Sequence, residues 1–160
     1  MAYQIRRVKI DWKGPYSIQD VLKYKDSEND CGLYQIYSHH ILFGPNSLVY
    51  IGITMDRSFC ERFKEHEKEW LHEENDVLIR LGRLWKEDYK HDPPEWTDWR
   101  LLLPDVEALL IYWHSPPYNS RHITEYKGQP LYLQNWGNRG SIIPECSTDW
   151  QFPRPRDEGN

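Results

Sequence analysis

The chain holds only three cysteines, Cys31, Cys60 and Cys146, and no two lie close together in sequence. That scarcity argues against a disulfide framework. Cys60, His66 and His72 are each six residues apart. On an ideal helix that spacing turns each by about 240° from the last, so the three cannot share a face as zinc ligands must. No apolar run approaches the roughly 20 residues that a bilayer span requires, and no membrane partner is expected. Met1-Ala2-Tyr3-Gln4-Ile5-Arg6-Arg7 is followed by no apolar signal-peptide core, so the expected compartment is the cytoplasm. No internal repeat and no second-domain linker is visible. A surplus of positive charge is missing too. The formal net charge is −5, whereas a protein that binds a polyanion normally presents a basic surface. Net charge reports on solubility and association rather than on local sites. Locally, Arg6, Arg7 and Lys9 form one basic group, and Arg80, Arg83, Lys86 and Lys90 form another at near-helical spacing.

What is present fits one soluble globular domain over residues 1–160, with 28% charged and 39% hydrophobic residues and enough length to bury a core. Tyr3 to Trp12 alternates well enough for a strand. Ser17-Ile18-Gln19-Asp20 resembles a capping box and opens a short helix through Leu22, followed by a charged loop from Lys25 to Asp30. Gly32-Leu33-Tyr34-Gln35-Ile36-Tyr37 and Leu48-Val49-Tyr50-Ile51-Gly52-Ile53-Thr54 read as two strands of a hairpin, joined through the breakers Phe43-Gly44-Pro45-Asn46-Ser47. A helix from Arg57 to about Glu73 sets Phe59, Phe63, His66 and Trp70 on one stripe. Arg62 and His66 are neighbours on its surface, at i and i+4. Asn75 or Asp76 caps a second expected helix reaching Tyr89, with Val77, Leu78, Leu81, Leu84 and Trp85 inward. His91-Asp92-Pro93-Pro94 ends it. Trp96 to Leu103 reads as a third strand, and Pro104 opens a helix from Val106 to Trp113. Leu131 to Asn138 suggests a strand and turn, and Pro153 to Asn160 a frayed tail.

This order of motifs resembles the GIY-YIG nuclease family. Gly32-Leu33-Tyr34 stands in the first motif, with Leu where the family name has Ile, and Tyr50-Ile51-Gly52 is the second motif unaltered. The helical Arg and His follow as Arg62 and His66, the helix-start Glu as Glu107, and the closing Pro-x-Asn-like segment as Pro116-Pro117-Tyr118-Asn119. The resemblance covers Cys31 to Ser120 and leaves 121–160 as a C-terminal extension. It implies an α/β fold in the broad α+β sense. A small three-stranded, mainly antiparallel central sheet is flanked by helices, with added N- and C-terminal elements.

The chemistry the resemblance implies is metal-dependent hydrolysis of nucleic-acid phosphodiesters, with DNA as the foremost partner. Glu107 is a hard oxygen ligand for one Mg²⁺ or Mn²⁺ per active site. Arg62 is a phosphate clamp, because its planar charged fork matches phosphate oxygens. Tyr34 and Tyr50 are the proton-transfer and water-positioning groups, and by resemblance Tyr34 is the general base, as a phenolate. A free Tyr has a pKa near 10, so reaching 7 needs roughly 4 kcal/mol of preference for the anion. His66 accepts from or orients a tyrosine hydroxyl, and Asn119 fixes a turn or a cleft side chain. These residues are expected to converge on one concave face. One motif set makes one active site, so a single chain should nick, and a double-strand break calls for a homodimer or two successive encounters.

Each residue alone has a plainer reading. Arg62 and His66 fit a solvated helix edge, the two tyrosines fit sheet packing, Glu107 fits a carboxylate at a helix start, and Asn119 fits a turn. The competing reading of the whole is a catalytically inactive GIY-YIG-like module that binds nucleic acid or protein. The acidic balance favours it, and the complete ordered set of polar residues opposes it. DNA against RNA, and single strand against duplex, stay open.

Overall fold

The computed structural model describes residues 5–23, 32–85 and 99–150. The chain there forms β1 (Arg6–Tyr16), α1 (Ile18–Lys23), β2 (Gly32–His40), β3 (Gly44–Thr54), α2 (Phe59–Glu69), β4 (Leu78–Leu84), α3 (Leu103–His114), β5 (Leu131–Gly137) and β6 (Glu145–Ser147). Short 3₁₀ turns occupy Leu71–Glu73 and Trp99–Leu101. The six strands form one sheet in the order β3-β2-β4-β1-β5-β6. Neighbours are antiparallel except β1 and β5, which run parallel. The fold is mixed α+β.

Alternation along β2 separates two cores. Leu33 packs with Val8, Ile10 and Ile51 of the sheet and with Leu103, Val106 and Leu109 of α3. Tyr34 and Ile36 face the other way, onto Val21 of α1 and Phe59 and Phe63 of α2. The sheet is therefore a middle layer, with α1 and α2 on one face and α3 on the other. Both N-terminal caps on the first face are local. Ser17 and Asp20 exchange side-chain and backbone hydrogen bonds ahead of α1, and Ser58 and Glu61 do the same ahead of α2. α3 is buried almost all round, with Pro104 in its first turn.

β3 lies at the sheet edge. The loop after α3 closes that edge in place of a strand. Tyr118 N–H donates to Val49 O, and the Asn119 amide donates to Ile51 O and accepts from Ile51 N–H, each at 2.9 Å.

Four expectations need correction. The sheet has six strands rather than three, because β1 and the C-terminal β5 and β6 extend the β3-β2-β4 core. The helix expected from Asn75 to Tyr89 is, as far as it is described, strand β4. Its apolar residues fit a 3.6-residue period, but β4 is clamped between β2 and β1. Ile79 and Leu81 fill one core and Leu84 the other. Non-local pairing overrides the local pattern. Arg80 and Arg83 consequently face opposite sides, over Tyr37 at 4.7 Å and over Phe59 at 5.3 Å, and form no common basic stripe. The strand expected over Trp96 to Leu103 is, in its described part, the 3₁₀ turn entering α3. The hairpin reverses at Ile41–Phe43, since Gly44 and Ser47 already pair with His40 and Ser38. Gly44 and Asn46 take left-handed φ values of 83° and 53° where the register shifts.

Lys86, Lys90, the Lys25–Asp30 loop, His91–Pro94 and the Pro153–Asn160 tail lie outside the described residues. Among the described residues no helix is long and apolar enough to cross a membrane.

Candidate active site

The β2–β3 hairpin sets the first two side chains. Tyr34 pairs with Gly52 and Ile36 with Tyr50, so Tyr34 and Tyr50 are diagonal neighbours on one face. Their rings lie 6.1 Å apart and nearly parallel. A Cβ at Gly52 would run into the Tyr34 phenol and come within 2.8 Å of the Tyr50 ring. The glycine of the second motif is thus the space in which the first motif's tyrosine lies.

α2 brings Arg62 and His66 to the same phenol. Arg62 Nε donates to the Tyr34 oxygen at 3.3 Å, and His66 Nε2 lies 2.8 Å from it. Trp70 Nε1 donates to His66 Nδ1 at 3.1 Å. An indole N–H is only ever a donor, so Nδ1 must be the accepting nitrogen. Burial, reinforced by the Arg62 charge, lowers the His66 pKa to about 4, so the ring is neutral at pH 7 and its one proton sits on Nε2. His66 therefore donates to Tyr34. The Tyr34 oxygen receives two N–H bonds and has its own hydrogen free for Tyr50.

Burial, and after it Tyr50, pushes the Tyr34 pKa up, against the pull of Arg62. Tyr50 is raised as well, by burial and then by Glu107, while Arg62 and a hydrogen bond from Tyr34 oppose. The lowered phenolate pKa expected for Tyr34 is thus not a property of the protein's own side chains, because desolvation outweighs the single nearby guanidinium.

Glu107 arrives from the other face of the sheet. α3 and α2 lie on opposite sides, so Glu107 does not share one face with the other four as expected; its carboxylate borders the same cavity as Tyr50, at the edge strand β3. Burial raises its pKa to about 7, and Arg62, the Ile53 backbone N–H and Arg121 pull the other way. A polar cavity of about 270 Å³ has Tyr50, Glu107, Tyr118, Asn119, Arg121 and His122 in its wall. A second cleft of about 310 Å³ is lined by Ile53 to Arg57 and by Arg62. Arg62 is steadied there by Glu65, whose carboxylate accepts from its Nη1 at 2.8 Å.

Among the described residues no three His, Cys, Asp or Glu side chains come together. Glu107 offers one carboxylate beside a polar cavity. That donor set fits Mg²⁺ or Mn²⁺, which keep several waters and take substrate phosphate oxygens. A structural zinc site needs four protein ligands and does not fit.

Tyr34, Tyr50, Arg62 and His66 thus meet directly, and Glu107 acts on them electrostatically from across the β3 edge. Asn119 is 8% exposed, and its amide oxygen and nitrogen are engaged by the Ile51 backbone. It positions the cavity wall. Trp70 and Arg121 escaped the sequence reading as site residues. Trp70 is four residues from His66, a spacing that signals contact on a helix. Arg121 had only its closeness to Asn119 to mark it. No protein-family model, curated protein or solved structure matches this chain.

Proposed function

We propose that this chain is a GIY-YIG-type, metal-dependent endonuclease that hydrolyses nucleic-acid phosphodiesters, with DNA as the foremost substrate. The observation that carries the reading is the Tyr34 oxygen, which takes N–H bonds from Arg62 and His66 while Tyr50 lies alongside. A buried phenol that merely packs a sheet is satisfied by one hydrogen-bond partner, whereas this one takes two N–H donors beside a second phenol.

The two phenols divide the work. Tyr34 is fully buried, whereas Tyr50 opens onto the cavity that Glu107 borders. In place of the Tyr34 that the resemblance implies, Tyr50 is the base. It first gives its own phenolic proton to solvent, and its phenolate is stabilised by the hydrogen bond that Tyr34, held by His66 and Arg62, donates to it. It then accepts the proton of the attacking water. Arg62 binds the phosphate through N–H groups not engaged by Tyr34, Tyr50 and Glu65. Oxygen attacks phosphorus, the bond to the leaving oxygen breaks, and that oxygen takes its proton from solvent. Glu107 would hold the divalent cation, which when bound would supply positive charge and favour the ionised forms of the groups around it.

The second reading is an inactive module that binds nucleic acid or protein. The raised pKa values of Tyr34, Tyr50 and Glu107 and the net charge of −5 favour it. Cleavage assays on single-stranded, duplex and branched DNA and on RNA, with and without Mg²⁺ or Mn²⁺, separate the two. Wild type should nick supercoiled plasmid at low protein concentration. Glu107→Gln should lower turnover by several orders of magnitude, since such electrostatic contributions are worth a few kcal/mol. Its metal-free DNA affinity should hold or rise, because a negative charge facing phosphate is gone. A wild type that binds but never cuts with either metal leaves the module reading in place.

A further inference from the structure

A row of aromatic rings runs from the hairpin tip to the cavity. Phe43 stacks on His40 at 4.8 Å, His40 meets Tyr118 at 5.8 Å, Tyr118 meets Trp70 at 5.6 Å, and Trp70 meets Tyr50 at 6.0 Å. Tyr118 and Tyr50 are themselves cavity wall. The outer end is open to solvent. Ile41, Leu42 and Phe43 are 91%, 81% and 67% exposed, and Tyr118 is 39% exposed. The tip is also held in shape, because His40 Nδ1 accepts from the backbone N–H groups of Leu42 and Phe43. A tight turn that presents three large apolar side chains while two of its N–H groups are held by a neighbouring side chain is unusual on a protein surface.

We infer that this row is a stacking path for unpaired bases, so that the strand to be cut runs single-stranded from the cavity toward the hairpin tip. The inference rests on the nuclease reading above and adds its substrate class. Charge separates it from a duplex-gripping surface. From Ser38 to Met55 the chain carries no Lys, Arg, Asp or Glu, and a surface that tracks a duplex backbone needs cations. Base-on-ring stacking itself needs none and tolerates any sequence because every base has a π-face, and the cations that a single strand's backbone calls for stand at the inner end of the row, in Arg121 and Arg62. Continuity separates it from a protein-docking tip. The rings do not stop at the apolar turn but continue into the cavity wall beside Glu107, so one strand occupies both. Ile41 and Leu42 would then stand as a wedge where the strands part.

The test measures binding of labelled oligothymidine and of blunt duplex DNA by fluorescence anisotropy in EDTA, for wild type, Phe43→Ala and Phe43→Tyr. Plasmid nicking in Mg²⁺ is followed in parallel. Wild type should prefer oligothymidine by tenfold or more. Phe43→Ala should lose about tenfold on oligothymidine, within the range that one base–ring stack is worth. It should stay within twofold on duplex, with an unchanged salt slope because no phosphate contact is lost. Phe43→Tyr should bind as wild type. Phe43 is exposed, so circular dichroism should show the fold intact. Equal oligothymidine binding by Phe43→Ala and wild type would overturn the stacking path while leaving the nuclease reading standing if nicking persists. A tip substitution that instead abolishes self-association, with DNA binding unchanged, would make the tip a protein surface and also overturn it. If wild type neither binds nor cuts any nucleic acid, the nuclease reading falls first and the path with it.

Discussion

Trp70 Nε1 donates to His66 Nδ1 at 3.1 Å, and that one bond decides which nitrogen of His66 faces Tyr34 as a donor. Trp70→Phe keeps an aromatic ring in the row and removes the N–H together with one ring of the indole. The two neutral tautomers of His66 should then mix, and the form with its proton on Nδ1 cannot donate to Tyr34. Turnover should fall ten- to hundredfold with KM within twofold, and ¹⁵N shifts of His66 should move from pure Nε2–H toward a mixture. A wild-type rate with mixed tautomers would remove His66 from the mechanism.

The two tyrosines should separate in opposite ways. Tyr34→Phe leaves His66 Nε2 and Arg62 Nε without their shared acceptor in a buried site. That should cost about 1–3 kcal/mol of stability as well as activity. Tyr50→Phe, at the cavity wall, should cost under about 1 kcal/mol while lowering turnover at least as much. Denaturant unfolding beside single-turnover kinetics gives both readings. The division of roles fails if Tyr50→Phe cuts at the wild-type rate.

Glu107 makes stability depend on pH. Its folded pKa of about 7 lies above its ordinary 4.5, so the folded protein holds this proton more tightly than the unfolded chain. The associated stability is present in full below about pH 4.5 and is lost as pH rises through about 7. In EDTA at pH 8, Glu107→Gln should therefore be more stable than wild type by on the order of 3 kcal/mol, with roughly 1 kcal/mol or less remaining at pH 5. Thermal melts at the two pH values check this. Adding Mg²⁺ at pH 8 should raise the wild-type Tm and leave the variant unmoved.

Gly52→Ala should be far costlier than a methyl group normally is in a strand. The new Cβ would overlap the Tyr34 phenol, and the extra atom should cost about 1–3 kcal/mol. It should also tilt the ring away from Arg62 and His66, so activity should be lost even in the cold, where the variant is folded. Normal activity together with a normal melting temperature would show that the phenol position is not what the glycine protects.

Asn119 should act through the backbone of β3. Asn119→Ala leaves Ile51 N–H and C=O without the amide that closes the edge, at about 1–2 kcal/mol. Asn119→Asp keeps an acceptor for Ile51 N–H and loses the donor for Ile51 O, so it should rescue only in part. Hydrogen exchange at the Ile51 amide should be fast in the Ala variant and intermediate in the Asp variant.

The candidate residues of the site stand in short-range sequence features that can be read before any fold is known. Tyr34 and Tyr50 sit in strands bounded by breakers, Arg62 and His66 are one helical turn apart after a capping box, and Glu107 is one turn inside an apolar helix. None was singled out by local geometry alone, since each has a plainer reading; the order of motifs marked them as a set. Their relations needed the tertiary structure. The sequence cannot say that Glu107 comes from the opposite face around an edge strand, or that Trp70 rather than a carboxylate orients His66.

The fold divides along the same line. Strand β1, the β2–β3 pair, α1, α2, α3 and β5 follow from capping, turn chemistry and hydrophobic period, all of which act within a few residues. Segment 78–84 carries apolar residues that suit either period. Its identity as β4 was decided by β2 and β1, which leave an extended slot between them with apolar cores on both faces. The sheet's width was settled in the same way, when the C-terminal residues paired in parallel with the N-terminal strand from more than a hundred positions away. Local chemistry selects the site's side chains. The burial and backbone pairing that aim them, and that set the pKa values of His66 and Glu107, exist only once distant strands have met.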